Sequence, residues 1–342
     1  MTTFELSLPY LPRANWVRND LLARGGDRKC CVDVPYHVCW WSPDCNSTCV
    51  DHKVAIFSNC PSVRWMDALS HVLVPSTRGA TLINVGANKG YDVREFFERY
   101  DQAGAPSGDK WLRALLKNNV TAQPCGACGA CGHRVRRHSG RVRVATAIAV
   151  EAEPQNAKVL RRLFRAFGLA ERGAEVVHAA VGDGMGGGMA SVAVSKEVGD
   201  ERGSIVDGGK RATVGVKATT IDELVRRYQL RVVDWCLIDA EGHDHAILRG
   251  AEASIKQNRL RVIAFEYGAQ WCQPGLGGGC VPLQPTIAFL AAHGYRCWWL
   301  GNGGRVAPVS ARCRDISTRR WSNIACVSES VLVTAMQSLE AF

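Results

Sequence analysis

The sequence predicts an α/β fold built on a parallel sheet covered by helices on both faces. Three observations predict it. Short apolar runs alternate with segments of helical spacing along most of the chain. A strand, a glycine turn and a helix start follow one another between Thr81 and Asp92. Polar residues also fall at the carboxyl ends of successive runs: Gly86–Gly90 after the first, Glu151 after the second, Asp183 after the third, Asp239 and Glu241 after the fourth, Glu266 after the fifth. In open parallel sheets, ligands bind beyond that edge.

Residues 1–62 show no sustained periodicity and read as a cysteine-rich cap, with Cys39-Trp40-Trp41-Ser42-Pro43-Asp44-Cys45 as a turn-rich stretch. The main domain spans 63–342. Val63–Leu73 has helical spacing, and Leu82, Ile83 and Val85 form the first strand. Asp92 and Glu95 make a D-x-x-E capping box that predicts a helix over Val93–Tyr100. An insertion over about 101–140 is rich in Gly, Pro, Cys and Arg and carries a short helix at Lys110–Lys117. Strand two is Val142–Val150, followed by a helix over Ala157–Phe167 and strand three at Glu175–Val181. A glycine-rich hairpin region covers Gly182–Lys210, and a further strand covers Thr213–Ala218.

Thr220-Ile221-Asp222-Glu223 is a second capping box, opening a helix over Glu223–Tyr228. Strand four is Val232–Asp239, with a helix over His245–Ile255, and strand five is Arg261–Glu266. A linker at Gln273–Pro285 leads to a helix at Thr286–His293 and strand six at Tyr295–Leu300. Trp321–Ser328 is the final strand.

Hydrophobic content of 46% and charged content of 22% are those of a soluble globular protein. No apolar run reaches a membrane span, and Met1–Asn15 lacks the layout of a signal peptide. The formal charge of +10 is concentrated at His133–Arg143, which holds five arginines but no interleaved aromatic residues. A solvated basic loop explains it better than a nucleic-acid surface. The chain has fifteen cysteines, six of them between Cys30 and Cys60, and two sequons, Asn46-Ser47-Thr48 and Asn119-Val120-Thr121. Cysteine density and sequons point to a secretory lumen and the missing signal points away from it, so the compartment stays open.

The glycine turn has G-x-x-x-G spacing, neither a dinucleotide fingerprint nor a Walker loop. Backbone N–H groups and a helix start there suit an anionic group of a nucleotide-like ligand. Glu151, at a strand end, is placed to accept ribose hydroxyls. It follows Gly90 by 61 residues, and the cysteine-bearing insertion accounts for the excess over the usual spacing of about 20. Asp239-Ala240-Glu241-Gly242-His243-Asp244-His245 is the densest cluster of ionisable groups. Asp239, Glu241 and His243 can orient a substrate hydroxyl and remove its proton; a divalent ion and a solvated helix start are the other readings. Cys125, Cys128, Cys131 and His133 are ligand types that structural zinc prefers, at cramped spacing, with disulfides and free thiols as alternatives.

With these residues in place, Thr81–Val327 resembles the FkbM family of S-adenosylmethionine-dependent methyltransferases. Ile83-Asn84-Val85-Gly86-Ala87-Asn88-Lys89-Gly90 is similar to the family's glycine loop, and Val150-Glu151-Ala152-Glu153-Pro154-Gln155-Asn156 to its ribose-acid segment. Thr219-Thr220-Ile221-Asp222 is similar to its internal T-[IL]-D element. Leu237-Ile238-Asp239-Ala240-Glu241-Gly242-His243-Asp244, followed by Leu248-Arg249-Gly250-Ala251, is similar to its most characteristic block. The chain departs from the pattern at Asn84, where an aspartate is usual, at Leu237, where a lysine is usual, and at Ala152, where a proline is usual.

The resemblance implies a class I, Rossmann-like methyltransferase fold: a seven-stranded, mostly parallel sheet with its last strand antiparallel. It implies S-adenosylmethionine as cofactor, held by Asn84, Gly86, Ala87, Asn88, Gly90, Glu151 and Asp183. It also implies methyl transfer to a hydroxyl of a sugar, glycan or other small acceptor, handled by Asp239, Glu241 and His243. Two other functions compete. One is an RNA-binding or RNA-modifying protein that uses the Cys/Arg insertion. The other is a cofactor-binding scaffold without turnover, raised by Asn84 and Leu237.

Overall fold

Every residue of β1 (Ala80–Val85) is buried, as a central strand covered on both faces requires. A computed structural model describes residues 63–73, 79–136, 145–184, 188–195, 197–201, 212–272, 281–301, 304–309 and 322–340. The expected N-terminal cap, its six cysteines and the Asn46 sequon lie outside them, as do residues 137–143 of the basic run. The chain divides into two compact units, Leu69–Ala264 and a second made of Met1–Ala68 with Phe265–Phe342.

In the first unit the strand order is β8-β7-β1-β2-β3, with β2 at Ala145–Glu151, β3 at Ala174–His178, β7 at Val233–Ile238 and β8 starting at Leu260. β1 runs parallel to β2 and to β7, and β2 parallel to β3. The register pairs Val85 with Val150 and with Ile238, so three strands end level at one edge. Buried polar groups lock the opposite end of β1: Asp234 Oδ2 accepts from the Thr81 N–H at 2.8 Å, and Asp234 Oδ1 accepts from Arg261 at 2.9 Å.

Helix α1 (Arg64–Val72) comes first in the described chain, and α2 (Tyr91–Tyr100), α3 (Gly108–Lys117) and α4 (Pro154–Ala166) pack apolar faces in the first unit. Phe97, Trp111, Leu160, Leu163 and Phe164 are buried. The expected capping box of α2 does not form: Gly90 is its N-cap, with no side-chain cap bond. Asp92 instead turns inward and accepts from Asn84 Nδ2 at 3.2 Å, and Glu95 is drawn to Arg99 and His133. The Thr220 cap does form, its side chain accepting from the Glu223 N–H at the start of α5 (Ile221–Arg227).

The single helix expected over His245–Ile255 is two, α6 (Asp244–Arg249) and α7 (Glu252–Lys256). The break falls at Gly250, where a Cβ would stand 1.9 Å from the Gly182 carbonyl oxygen. Asp222 then caps α7, accepting from the Ala253 and Ser254 N–H groups at 2.9 and 2.8 Å. Part of the glycine-rich region forms a small second sheet, β4-β6-β5, from Ala180–Val181, Thr213–Thr219 and Met189–Ala193.

In the second unit, β9 (Arg296–Leu300) pairs antiparallel with β10 (Val306–Val309) and with β11 (Ser322–Val327). The last strand is thus antiparallel, as expected. β10 is a strand that the expected seven do not include. Cys297 and Cys326, directly opposite in register, form a disulfide. Helix α8 (Leu283–Ala292) contributes buried Ile287 and Leu290, and α9 (Ser330–Gln337) contributes buried Leu332 and Met336. Among the described residues no helix is long and apolar enough to cross a membrane.

Candidate functional site

β1, β2 and β7 end at a common edge, and a cavity of about 110 Å³, partly open to solvent, lies there. Gly86, Asn88, Glu151, Asp239 and Glu241, all expected in the site, line it together. The close approach of the β1 and β7 ends explains the first glycine. Gly86 has φ +75°, and a Cβ there would stand 1.7 Å from the Asp239 carbonyl oxygen.

Four of the turn's N–H groups, those of Gly86, Ala87, Asn88 and Gly90, are taken by protein acceptors. The Gly86 and Ala87 N–H groups donate to the Val150 carbonyl at 3.0 and 3.1 Å, and Gly90 donates to Ala87 at 2.7 Å. The Asn88 N–H donates to Glu151 Oε2 at 2.7 Å. The Gly86 and Ala87 bonds extend the pairing with β2 past the strand ends, the Asn88 bond ties the turn to a β2 side chain, and the Gly90 bond closes the turn on itself. Gly90 is required for a different reason: a Cβ would meet Leu160 at 2.7 Å, and Trp111 packs beside it while its Nε1 donates to the Lys89 carbonyl at 2.9 Å.

The lining is acidic instead. Glu151, Glu153, Asp200, Glu201, Asp239 and Glu241 line the cavity, and none of the described lining residues is Lys, Arg or His. Burial pushes the Glu151 carboxyl up to about 7, against the pull of the backbone N–H groups it accepts, and Glu153 adds like-charge repulsion. Burial likewise raises Glu241 to about 7, with Glu201 and Asp200 repelling its charged form. Glu241 sits in a left-handed turn, φ +51°, beside Gly242 at φ +99°. A donor set of this sign suits a cationic ligand.

Glu153, Asn156, Asp200 and Glu201 are site residues that the sequence reading did not single out as such. Glu153 carried a signal, since an acidic residue before Pro154 at a helix start is an N-cap; its Oε2 accepts from the Asn156 N–H at 2.7 Å. Asp200 and Glu201 carried none. The Asp200 carbonyl accepts from Asn88 Nδ2 at 3.0 Å, and Glu201 pairs with buried Lys89 at 2.8 Å, each contact bridging 112 residues of chain. The Gly199 N–H donates to Asn156 at 2.8 Å and fixes the same segment from the other side.

Other expected residues stand apart from the cavity lining. Asn84 is buried within β1 and bonds Asp92; Ala87 and Gly90 shape the turn. Asp183 pairs with Arg249 at 2.9 Å. His243 is the N-cap residue of α6. Its neighbour His245 faces the Gly242 carbonyl at 3.1 Å and is pushed down to about 4, chiefly by burial.

The zinc expectation is overturned. Cys125 and Cys131 form a disulfide, and Cys128 is also disulfide-bonded. Oxidised sulfurs are not thiolate ligands. His133 pairs with buried Glu95 at 2.8 Å, a contact that holds the imidazole above its usual range and Glu95 below the usual carboxylate range. Among the described residues no group of three or more His, Cys, Asp or Glu side chains could hold a metal ion. The insertion is a brace: the Ala127 N–H donates to Glu201 Oε2 at 3.1 Å, and Tyr91 donates to the Pro124 carbonyl at 2.9 Å.

A family profile described as "Methyltransferase FkbM domain" matches residues 119–297, more than half of the 342-residue chain. No curated protein matches the chain. Among solved structures, the METTL16 MTase domain aligns at 10% identity and TM-score 0.34, covering 78% of this chain and 65% of that one. The chain thus spans just under two thirds of that domain. A human methyltransferase 10 domain containing protein aligns at 9% identity and TM-score 0.32, covering 78% and 80%. Precorrin-6y C5,15-methyltransferase from Geobacter metallireducens GS-15 aligns at 11% identity and TM-score 0.29, covering 77% and 87%.

Proposed function

The chain belongs to the FkbM methyltransferase family, and from that premise we propose that its rim cavity takes S-adenosylmethionine and that the enzyme methylates an acceptor hydroxyl on a sugar, glycan or other small molecule. The observation that carries the reading is the convergence of Gly86, Glu151, Asp239 and Glu241 on one cavity. The residues present fit the cofactor in two ways. The acidic lining complements a sulfonium and an ammonium, and the lack of a Cβ at Gly86 lets the turn pack directly on the Asp239 carbonyl, so that both residues reach the cavity wall.

When bound, the cofactor supplies a methyl group on positively charged sulfur, already activated for displacement. The protein's task is to align donor and acceptor, a contribution that can reach roughly 7–11 kcal/mol, and to accept one proton. Glu151 holds the ribose while its carboxylate anchors Asn88. Glu241 takes the proton that the acceptor hydroxyl gives up as its oxygen gains the methyl. A base with a pKa near 7 is half ionised at neutral pH, where proton transfer is best matched. Asp239, on the same edge, orients the acceptor.

Calorimetric titration with S-adenosylmethionine tests the first half of the reading: binding to the wild type and severe loss in Glu151→Ala are expected. Labelled cofactor incubated with glycan and metabolite fractions, followed by mass spectrometry, tests the second half. A product that carries the label on oxygen supports it, and label only on nitrogen or carbon refutes it.

A further inference from the structure

Two carboxylates, not one, stand at the end of β2, and their hydrogen bonds differ. Glu151 is occupied on both oxygens: Oε1 accepts from the Glu153 N–H at 2.8 Å and Oε2 from the Asn88 N–H at 2.7 Å. Glu153 is occupied on one. Its Oε2 caps α4 through the Asn156 N–H at 2.7 Å, whereas Oε1 is buried with no hydrogen-bond partner. The side chain is 5% exposed and lines the cavity. A buried carboxylate oxygen left unpaired is costly and is expected to be filled when a donor arrives.

We propose that Glu153 is a second ligand-binding carboxylate, its Oε1 accepting a hydroxyl of the cofactor's ribose, so that the diol is shared between Glu151 and Glu153. The assignment rests on the cofactor reading above and adds a residue to it. A ribose diol supplies two adjacent O–H donors, and the site presents two adjacent acidic side chains. Only one of them has an oxygen with no protein donor. Glu153 also sits at the N-cap of α4, where the cap bond fixes one oxygen and so orients the other. Glu151, with two backbone donors, acts first as the tie between the glycine turn and β2. The closeness of the two carboxylates is visible in Glu151 itself, whose proton Glu153 helps to retain.

The test is calorimetry with S-adenosylhomocysteine, adenosine and 2′,3′-dideoxyadenosine on wild type, Glu153→Gln and Glu151→Gln. Glutamine keeps the cap, because its carbonyl can accept from Asn156, and places an NH₂ where the open acceptor stood. Glu153→Gln should therefore melt like the wild type and bind S-adenosylhomocysteine about tenfold more weakly. The penalty for removing both ribose hydroxyls should shrink in Glu153→Gln relative to the wild type, a non-additive cycle. Affinity within twofold of wild type, or a hydroxyl penalty unchanged by the substitution, overturns the assignment of Glu153 and leaves the cofactor reading standing. Absence of any binding by the wild type overturns both. If Glu153→Gln melts early, the hydroxyl penalty measured on Glu153→Asp, which keeps the charge and shortens the reach, decides in its place: a smaller penalty supports the assignment and an unchanged one refutes it.

Discussion

The backbone N–H of Asn88 donates to Glu151 Oε2 at 2.7 Å across 63 residues of chain. The bond makes one carboxylate both a wall of the cavity and the fastening of the glycine turn. It also explains how an insertion between β1 and β2 leaves the site intact. The contact closes the turn directly onto β2, whatever length of chain lies between the two residues.

Glu151 should make cofactor binding pH-dependent. Its carboxyl is raised to about 7 from an ordinary 4.5, and the ionised form accepts ribose hydroxyls better. Affinity should fall about tenfold between pH 8 and pH 6, and Glu151→Gln should flatten the profile in calorimetry. The effect on stability has the opposite sign. A carboxyl whose folded pKa is raised holds its proton where the unfolded chain has lost it, so its contribution declines as pH rises from about 4.5 to 7 and stays low above that. Thermal melting of Glu151→Gln should lose that decline.

Glu241 separates binding from turnover. Glu241→Gln is expected to lower kcat by roughly 10²–10⁴-fold while weakening cofactor binding far less, since the other acidic lining residues stay. The wild-type kcat should rise with pH with a midpoint near 7, the position to which burial and the Glu201 and Asp200 charges push the carboxyl. Stopped-time assays across pH 5–9 check both; an unaltered kcat in the variant would remove Glu241 from the chemistry.

Gly86→Ala should be destabilising and should abolish cofactor binding. The left-handed backbone alone costs about 1–2 kcal/mol for a residue with a side chain, and the new Cβ would stand 1.7 Å from the Asp239 carbonyl oxygen. Gly182→Ala is the control, since nothing lies within 4 Å of a Cβ there. Melting temperatures that match for the two variants would contradict the close approach of β1 and β7.

The disulfides, rather than a metal, should respond to treatment. Cys297–Cys326 spans 29 residues and Cys125–Cys131 spans 6. Loop-closure entropy then assigns the first roughly 3–4 kcal/mol and the second about 2. Paired alanine variants should lower the melting temperature in that order. Chelation should leave the melting temperature unchanged, and metal analysis should find no stoichiometric zinc bound through Cys125, Cys128 and Cys131.

Much of this protein was legible in order along the chain. Apolar runs, glycine turns and strand-end acids placed β1, β2, β7 and β8 in their sequence positions and identified Gly86, Glu151, Asp239 and Glu241, because period and strand-end polarity are local properties. The close approach at Gly250, where the helix breaks, was not legible, because it involves the Gly182 carbonyl, a segment distant in sequence. Nor was the loss of the turn's N–H groups to Val150, which depends on the register of two strands separated by an insertion. The state of Cys125 and Cys131 was undecided by spacing that fits both zinc and disulfide, and only their juxtaposition chose. By itself the sequence determined that Gly86, Glu151 and Asp239 stand at the carboxyl rim, since a strand's end is written in its own apolar run. Tertiary structure alone brought two further acids to the cavity. Asp200 and Glu201 reach the rim across 112 residues, and charges that meet only on folding leave no pattern in the chain.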